Sequence, residues 1–368
     1  MTVTRYGLIG AGYFGLALGR ALAKLPAARI SAVFDPEHAT RAADVLGATV
    51  YGSVEELCSS DEVDAVVVAS PNWAHAEAVL SAARHGKAIF CEKPIALKYH
   101  DCLGMIEAAR KADVLFMAGH AMNFMSGVRQ VKSLIAEDAI GEVVFCRAVR
   151  NNWEEPQSEV TWKKRRELSG GHLYHHIHEL DFVQFIMGPA VEVTMVGGNV
   201  AHQGPGFGDE DDLLLITLEF GNNTFAALEY GSAFRWPEHY VLIEGSKGAI
   251  RIDLQETGVT VRTINGADTF LLHRSAEEDA DRNRFYSQGT ADSGVLFGNP
   301  SMEPPLWLHG MIEDEVKYFH GLMRGEEPLA EFAKLTDGSA AAASIATADA
   351  LSLSLRENRK VRVSEITG

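Results

Sequence analysis

The stretch that most limits how this chain can fold is a glycine-rich turn near its start. The apolar run 5–10 leads into Gly10-Ala-Gly12-Tyr-Phe-Gly15, and a helical pattern follows over 16–25. Gly10 permits a tight turn, Gly12 lets a pyrophosphate approach the backbone, and Gly15 lets the helix pack on the strand. A phosphate would then lie at the helix N-terminus. Because strand and helix flank the turn, the pattern predicts a dinucleotide-binding unit.

The next apolar strand, over 29–34, ends in Asp35, twenty residues after Gly15. A carboxylate at this distance can accept hydrogen bonds from the adenosine ribose and would repel a 2′-phosphate. Asp35 therefore favours NAD over NADP as the cofactor. Tyr13 and Phe14, within the glycine turn, belong to the same predicted cofactor site.

Strands and helices alternate over about the first 120 residues, as in a doubly wound parallel sheet. The run 65–70 is apolar until its last residue, as a strand covered on both faces should be, and it stops at Pro71. Ser70, Pro71, Asn72 and His75 then lie at the edge where open α/β sheets bind ligands. We assign these four residues to the cofactor site. The alternative is a helix cap and a structural histidine.

The sequence Ile-Phe-Cys-Glu-Lys-Pro at 89–94 predicts a buried strand whose last residues emerge at the same edge. Pro94 removes a ladder donor and biases Lys93 toward an extended conformation. A solvated charge pair at a strand end is the alternative. Because the other motifs converge on this edge, we predict Lys93 as a catalytic group, with Glu92 and Lys93 also at the cofactor.

After residue 122 the runs alternate polar and apolar residues, for example over 142–150 and 213–220. Alternation predicts an open, largely antiparallel sheet with one face packed on helices. We therefore expect an α/β chain of two domains, with a Rossmann domain over 1–122 and a domain for substrate binding and oligomerisation over 123–368. Residues 264–308 are polar and loop-rich, and we expect them to wrap the surface or a partner subunit. An open sheet favours a homodimer or homotetramer.

Residues 169–181 open a predicted helix that carries four histidines and continues to 188. Tyr174, His178 and Asp181 would share one helical face by steps of four and three, which resembles a base with its orienting group. We predict Tyr174 and His178 as catalytic, and His175 and Asp181 at the substrate. A core-facing helix with satisfied polar groups is the alternative. No Cys or carboxylate spacing supports a metal site, and none is predicted.

Four basic residues at 163–166 stand in a chain with a formal net charge of −17. They form either a solvated basic run or a contact to an anionic substrate, for which we assign Arg165 and Arg166. The acidic balance argues against nucleic acid and anionic membrane as partners. No signal peptide and no apolar run of spanning length is apparent, so a cytoplasmic location is expected, with the four scattered cysteines as free thiols.

Taken together, these segments resemble the Gfo/Idh/MocA family, named after glucose-fructose oxidoreductase, inositol dehydrogenase and a rhizopine catabolism protein. The matching parts are the glycine loop, Ser-Pro-Asn-x-x-His at 70–75, Glu-Lys-Pro at 92–94, Trp162 with Lys163, the Gly-Gly helix that carries His178 and Asp181, and Asp337-Gly338. The resemblance covers essentially the whole chain.

The resemblance implies an N-terminal Rossmann domain, a C-terminal α/β domain with an open sheet, a nicotinamide near Lys93 and a sugar or polyol between the domains. It brings Trp162 into the substrate site and maps the family's catalytic lysine and histidine to Lys93 and His178. Many sugar-oxidising members carry Asp where this chain has Tyr174, and His176 replaces a usually small residue. The substrate therefore cannot be transferred by analogy.

The expected function is NAD-dependent oxidation of a CH–OH group in a sugar, polyol or sugar derivative, which would be anionic if Arg165 and Arg166 bind it. His178 would take the hydroxyl proton and Lys93 would stabilise the oxygen, although the sequence leaves open which of them is the proton acceptor. The alternative is an NAD-dependent glycoside hydrolase that oxidises, eliminates and re-reduces without net redox change. A nucleotide-sensing regulator is less favoured because sensing needs neither Lys93 nor His178.

Overall fold

A computed structural model describes residues 3–256, 258–287 and 302–368 of the chain. These residues form two compact units. The first contains residues 3–121, 302–304 and 308–342, and the second contains the remainder. The segment 308–342 is therefore part of the first unit, whereas the domain boundary predicted from the sequence put all residues after 122 in the second domain.

The first unit is built on a parallel sheet of six strands in the order β3-β2-β1-β4-β5-β6. The strands are β1 (Thr4–Ile9), β2 (Ala28–Phe34), β3 (Thr49–Val50), β4 (Ala65–Val68), β5 (Ala88–Glu92) and β6 (Phe116–Gly119). This order is that of the Rossmann fold, with the topological switch point between β1 and β4. Every residue of β4 and β5 is buried, as expected of strands covered on both faces. The predicted fold class is confirmed for this unit.

The second sheet has nine strands in the order β14-β13-β12-β11-β7-β10-β9-β8-β15. These are β7 (Val143–Trp153), β8 (Glu192–Gly198), β9 (Leu213–Glu219), β10 (Phe225–Gly231), β11 (Ala233–Gly245), β12 (Gly248–Asp253), β13 (Gly258–Thr263), β14 (Gly266–Phe270) and β15 (Val361–Arg362). Strands β7 and β10 pair in parallel, and the other pairs are antiparallel. The expected open, largely antiparallel sheet is therefore present.

Helices connect and cover these strands. In the described residues they are α1 (Tyr13–Ala23), α2 (Ala39–Leu46), α3 (Val54–Ser59), α4 (His75–Arg84), α5 (Tyr99–Lys111), α6 (Ser126–Ala136), α7 (Arg166–Ser169), α8 (His172–His175), α9 (His178–Met187), α10 (Ala276–Ser287), α11 (Leu306–Met323), α12 (Ala333–Thr336), α13 (Ser339–Glu357) and α14 (Ser364–Thr367). None of them is long and apolar enough to cross a membrane.

Strand β14 and helix α10 lie in the segment 264–308, which the sequence indicated to be loop-rich. Strand β14 is exposed at four of its five positions, so its sequence has no apolar alternation. Helix α10 is rich in acidic and basic residues and lacks an apolar stripe. The prediction failed because it depended on hydrophobic periodicity. Residues 288–301 lie outside the described part of the chain.

The histidine-rich segment is not one helix. Three short helices, α7, α8 and α9, cover residues 166–187. Gly170-Gly171 has φ of 84° and 82° between α7 and α8, a conformation that glycine adopts far more readily than other residues. A two-residue turn then separates α8 from α9. The prediction of one continuous helical face that carries Tyr174, His178 and Asp181 is therefore wrong.

Helix α11 covers one face of the parallel sheet. The ring of Phe319 contacts Phe90 of β5 at 5.6 Å and Tyr6 of β1 at 6.2 Å between centroids. The Tyr6 hydroxyl is also hydrogen-bonded to Nδ1 of His320 at 2.7 Å. Phe319, Phe90 and Tyr6 are completely buried, so these contacts belong to the core of the first unit.

Phe319→Ala should therefore destabilise the first unit. Removal of a fully buried aromatic side chain typically costs about 3 to 5 kcal/mol of unfolding free energy. Leu103→Ala on α5, where the leucine is 42 % exposed, is the matched control and should change it by about 0.5 kcal/mol. Urea denaturation checks both variants, and equal effects would contradict the packing described for α11.

Candidate functional site

The glycine turn has the geometry that close approach of a dinucleotide requires. Gly10 has a φ of 90°, and a Cβ there would lie 2.3 Å from the Ser70 nitrogen, so the turn after β1 touches the end of β4. A Cβ at Gly15 would lie 2.0 Å from the Gly10 oxygen. A Cβ at Gly12, by contrast, would meet no atom within 4 Å. The backbone at Gly12 is therefore open to a ligand.

Helix α1 presents an uncapped N-terminus at this turn. Gly12 is the cap residue and supplies no side-chain hydrogen bond, and no acidic residue occurs in the first turn of α1. The N–H groups of that turn and the helix dipole therefore favour an anion. Buried Tyr13 and half-buried Phe14 lie on this first turn. These residues fit the pyrophosphate of a dinucleotide.

Asp35 follows β2 and is held by backbone donors. Its Oδ2 accepts a hydrogen bond from the Ala11 N–H at 2.7 Å, and its Oδ1 accepts from the N–H groups of Glu37 and His38, each at 2.8 Å. The carboxylate is therefore fixed beside the glycine turn. That position suits recognition of a ribose diol.

His75 joins two of the predicted segments. Its Nδ1 lies 2.9 Å from the Pro94 oxygen and its Nε2 lies 2.8 Å from the Ser70 oxygen. Burial lowers the pKa of His75, so the neutral ring can donate to one carbonyl at a time. His75 therefore connects the segments that follow β4 and β5. Asn72 is buried as well.

Lys93 follows the last residue of β5. Its backbone N–H donates to Oε2 of Glu92 at 3.2 Å, and the Lys93–Pro94 peptide bond is cis. Lys93 is half-buried, whereas Glu92 is buried. Burial raises the pKa of Glu92 to about 7, although the charge of Lys93 acts in the opposite direction. Glu92 is therefore a titratable group directly beside the predicted catalytic lysine.

Sequence reasoning missed a second acid in this region, Glu315 on α11. It is completely buried, and burial together with the charge of Glu92 raises its pKa well above the usual range. A signal was available, because Glu315 interrupts the apolar stripe formed by Ile312, Val316 and Phe319. An acidic residue at a core position is unusual and indicates either a partner or a function.

In the second unit, the residues predicted around His178 make contacts with α13. The Tyr174 hydroxyl donates to Oδ1 of Asp349 at 2.5 Å, and Oδ1 of Asp181 accepts from Ser344 at 2.8 Å. Burial, followed by the Asp349 charge, raises the pKa of Tyr174. These hydrogen bonds connect Tyr174 and Asp181 to α13, and the assignment of both residues to the substrate site stays a prediction.

His178 is the first residue of α9 and is half-buried. The next residue, Glu179, is buried and accepts from Nη1 of Arg150 at 3.1 Å, with Nε2 of His239 at 2.7 Å. Burial alone would raise the pKa of Glu179, but Arg150 and His239 outweigh it and lower this pKa. An ionised carboxylate is therefore anchored at the start of the helix that carries His178, where it also suits the helix dipole.

The other histidines of the segment contact one another. The His176 ring lies 4.5 Å from the His172 ring and 4.7 Å from the His175 ring. His172 and His176 are buried, and His175 is half-buried. Within the described ranges, no three His, Cys, Asp or Glu side chains are grouped as a metal site would require.

The basic run has partners in an acidic segment that follows β8. Nζ of Lys164 lies 2.7 Å from Oε1 of Glu210 and 2.9 Å from Oε2 of Glu154. Burial alone would lower the pKa of Lys164, but the two carboxylates outweigh it and raise this pKa. Arg166 is bonded to Oδ1 of Asp211 at 2.8 Å and to the Asp209 carbonyl at 3.0 Å.

Lys164 and Arg166 thus contact carboxylates within the second unit. Arg165 is exposed and lies 3.5 Å from the Val160 oxygen, and Trp162 is half-buried in a 3₁₀ turn. Of the two arginines assigned to the substrate, Arg165 therefore has the fewer contacts to carboxylates in the described part of the chain. The roles of Arg165 and Arg166 in substrate binding stay predictions.

Asp35→Ser should change cofactor preference. The variant loses the carboxylate that would accept hydrogen bonds from the ribose, and with it the charge that would repel a 2′-phosphate. We therefore expect the dissociation constant of NAD divided by that of NADP to rise about tenfold, which corresponds to ~1.4 kcal/mol. Isothermal titration calorimetry with both nucleotides measures this ratio. Asp44→Ser, at an exposed acid on α2, is the control and should leave the ratio unchanged. An unchanged ratio in Asp35→Ser would contradict the assignment.

Lys164→Met tests the structural role of the basic run. The variant leaves Glu154 and Glu210 without their shared cation, and breaking a buried ion pair typically costs about 3 to 5 kcal/mol. Urea denaturation should show this loss of unfolding free energy. Arg165→Met, at an exposed position of the same run, should keep the wild-type value. Equal stability of both variants would mean that Lys164 is not a structural cation.

Comparison with known proteins agrees with the geometry of both units. Residues 4–120 match the family model described as oxidoreductase family, NAD-binding Rossmann fold, and residues 132–363 match the C-terminal alpha/beta domain of the same family. The solved structure of a levoglucosan dehydrogenase with NADH and levoglucosan has the same fold, with a TM-score of 0.77 at 22 % identity over 98 % of this chain and 100 % of that chain.

Three relatives match over nearly their whole length. An uncharacterized oxidoreductase of Streptococcus pneumoniae is 53 % identical, over 99 % of this chain and 100 % of that protein. The 2,7-anhydro-N-acetylneuraminate hydratases of Mediterraneibacter gnavus and Escherichia coli are 51 % and 48 % identical, over 100 % and 98 % of this chain and 99 % and 97 % of theirs. From the family models and these relatives, the chain belongs to the Gfo/Idh/MocA family of oxidoreductases, and its N-terminal unit is the NAD-binding Rossmann domain of that family.

Proposed function

We propose that this protein hydrates 2,7-anhydro-N-acetylneuraminate, or a closely related anhydro sugar acid, in an NAD-dependent reaction without net oxidation. The observation that carries the proposal is that this chain is 51 % and 48 % identical to two hydratases of that substrate, over nearly its whole length. The expectation of an anionic sugar derivative agrees with it, since this substrate carries a carboxylate. The proposal adopts the redox-neutral alternative in place of net dehydrogenation.

The chemistry of the substrate explains why a hydratase would use a redox cofactor. Water addition across the 2,7-anhydro bridge leaves the oxidation state unchanged, yet the C–H bonds beside the bridge carbon are not acidic. The open backbone at Gly12 and the carboxylate of Asp35 would hold NAD, which would supply reversible hydride transfer at a substrate carbon. A ketone at C4 would acidify the C3–H bond, so that the C3 proton and the C2–O7 bond could be lost together, leaving a C2=C3 double bond and a C7 oxygen that takes up a proton as a hydroxyl. Water would then add to this double bond, with the hydroxyl on C2 and a proton on C3, before the C4 ketone is reduced back to the alcohol.

The chain's own residues would move the protons. Lys93 would donate a hydrogen bond to the C4 oxygen as it gains negative charge, a contribution of about 10² to 10³ in rate for a well-placed donor. His178 would accept and return a proton at the substrate, worth about 10² to 10⁴. Tyr174 and Asp181 would hold the His178 segment against α13, which their hydrogen bonds to Asp349 and Ser344 support.

A second candidate is net oxidation of a polyol. It has the support of myo-inositol 2-dehydrogenase from Thermotoga maritima, which is 28 % identical over 71 % of this chain. The lower identity and the partial coverage make this candidate the weaker one. The two functions differ in whether NADH accumulates.

The test is an assay of the purified protein with 2,7-anhydro-N-acetylneuraminate and NAD. We expect N-acetylneuraminate to form, measured by chromatography, while absorbance shows no matching accumulation of NADH. Lys93→Met should lower kcat/KM by about 10² or more, because it removes the donor to the developing oxyanion. Lys111→Met, at an exposed lysine on α5, should retain wild-type activity. NADH formed in equal amount to substrate consumed, with no N-acetylneuraminate, would contradict the hydratase and favour net oxidation.

A further inference from the structure

The two buried acids of the first unit, Glu92 and Glu315, lie on elements that pack together. The contact between Phe319 and Phe90 brings α11 onto β5. Glu315 is one helical turn before Phe319, and Glu92 is two residues after Phe90 on the same face of its strand. This register places the carboxyl groups near each other, and the charge of Glu92 acts directly on Glu315.

Neither acid has a full set of partners. Both Glu315 oxygens and Oε1 of Glu92 are buried, and among the residues that the structure describes they accept no hydrogen bond from an N–H or O–H group outside the two acids. Glu315 has no exposed surface. An ionised carboxylate in such a place would be strongly unfavourable, whereas a neutral acid carries an O–H group that it can donate. Glu315 is therefore a neutral acid that needs an acceptor.

The two carboxylate oxygens of Glu92 differ in their surroundings. Its Oε2 accepts the Lys93 N–H, while its Oε1 lies over Gly119 of β6, where a Cβ would approach to 3.0 Å. The other charged or titratable groups that act on Glu92 are Lys93 and His120. Lys93 favours the ionised form of Glu92, so a carboxylate at Glu92 and a neutral acid at Glu315 is the stable combination.

We propose that Glu315 is a positioning residue for Lys93 that acts through Glu92. As a neutral acid it donates a hydrogen bond to Oε1 of Glu92, which stabilises the ionised carboxylate beside Lys93 and thereby keeps the lysine charged and oriented. This inference depends on the proposed catalytic role of Lys93. Loss of the donor raises the pKa of Glu92, so that more of this residue is protonated near neutral pH and Lys93 loses its counter-charge.

The neutral state of Glu315 can be tested without any substrate. In the unfolded chain this residue ionises near pH 4.5, but in the folded protein it keeps its proton to much higher pH. The wild type should therefore lose stability relative to Glu315→Gln as the pH rises above about 4.5. We expect equal melting temperatures at pH 4 and a higher melting temperature for Glu315→Gln at pH 8. If the difference in melting temperature between the two proteins were the same at pH 4 and pH 8, the assignment of Glu315 as a neutral acid would be overturned.

The link to Lys93 is tested by the pH profile of kcat/KM for the hydration reaction. Glu315→Leu removes the donor, and we expect the acidic limb of its profile to move to higher pH by about one unit. At a given pH on that limb kcat/KM should then be about tenfold lower than in the wild type, and at pH 9 the two should be equal. Glu315→Gln keeps an N–H donor and should keep the limb near its wild-type position. Phe319→Leu, on the same helix, should change the rate equally at every pH.

The positioning role would be overturned if the acidic limb lay at the same pH in Glu315→Leu and in the wild type. It would also be overturned if the limb moved by the same amount in the Gln and Leu variants. Failure of the proposed function is distinguishable from these results. A wild type with no activity on the anhydro sugar acid would refute that function, while the melting temperatures would still decide the protonation state of Glu315.

Discussion

The structure of the first unit depends on the contact between the turns that follow β1 and β4. Gly10 and Ser70 approach so closely that a side chain at position 10 would overlap the Ser70 backbone. This contact occurs where the strand order reverses, and it creates the crevice in which open α/β sheets bind ligands. The open backbone at Gly12, the fixed carboxylate of Asp35 and the segment of Lys93 all follow from the placement of these strand ends.

Motifs that depend on backbone geometry could be predicted from the sequence. The glycine turn, the strand that ends at Asp35 and the strand that ends at Glu92 lie within two residues of their predicted places, because apolar runs and glycine or proline signals specify them locally. The alternating strands β7 to β13 could be predicted for the same reason. The polar strand β14 and the charged helix α10 could not, since neither has a periodic apolar face.

Side-chain partnerships were harder to foresee because they join residues far apart in the chain. The hydrogen bond of Tyr174 spans 175 positions, and that of Asp181 spans 163. The turn at residues 176–177 separates α8, which carries Tyr174, from α9, which carries His178 and Asp181, so the predicted common face is broken. The partners of Lys164 likewise follow from the fold, as does the burial of Glu315 against β5. The sequence left open whether the basic run is solvated or contacts an anionic substrate, and it gave no sign of these carboxylate partners.

The central claim is that hydration proceeds through a transient ketone, which makes the C3 position of the substrate exchangeable. The most direct measurement is the reaction of 2,7-anhydro-N-acetylneuraminate with the wild-type protein and NAD in deuterium oxide, followed by mass spectrometry and NMR of the product. We expect N-acetylneuraminate that carries deuterium at C3 and no deuterium at C4, because the hydride at C4 returns from the cofactor. A product formed at the same rate without deuterium at C3 would show direct hydrolysis of the bridge and contradict this account.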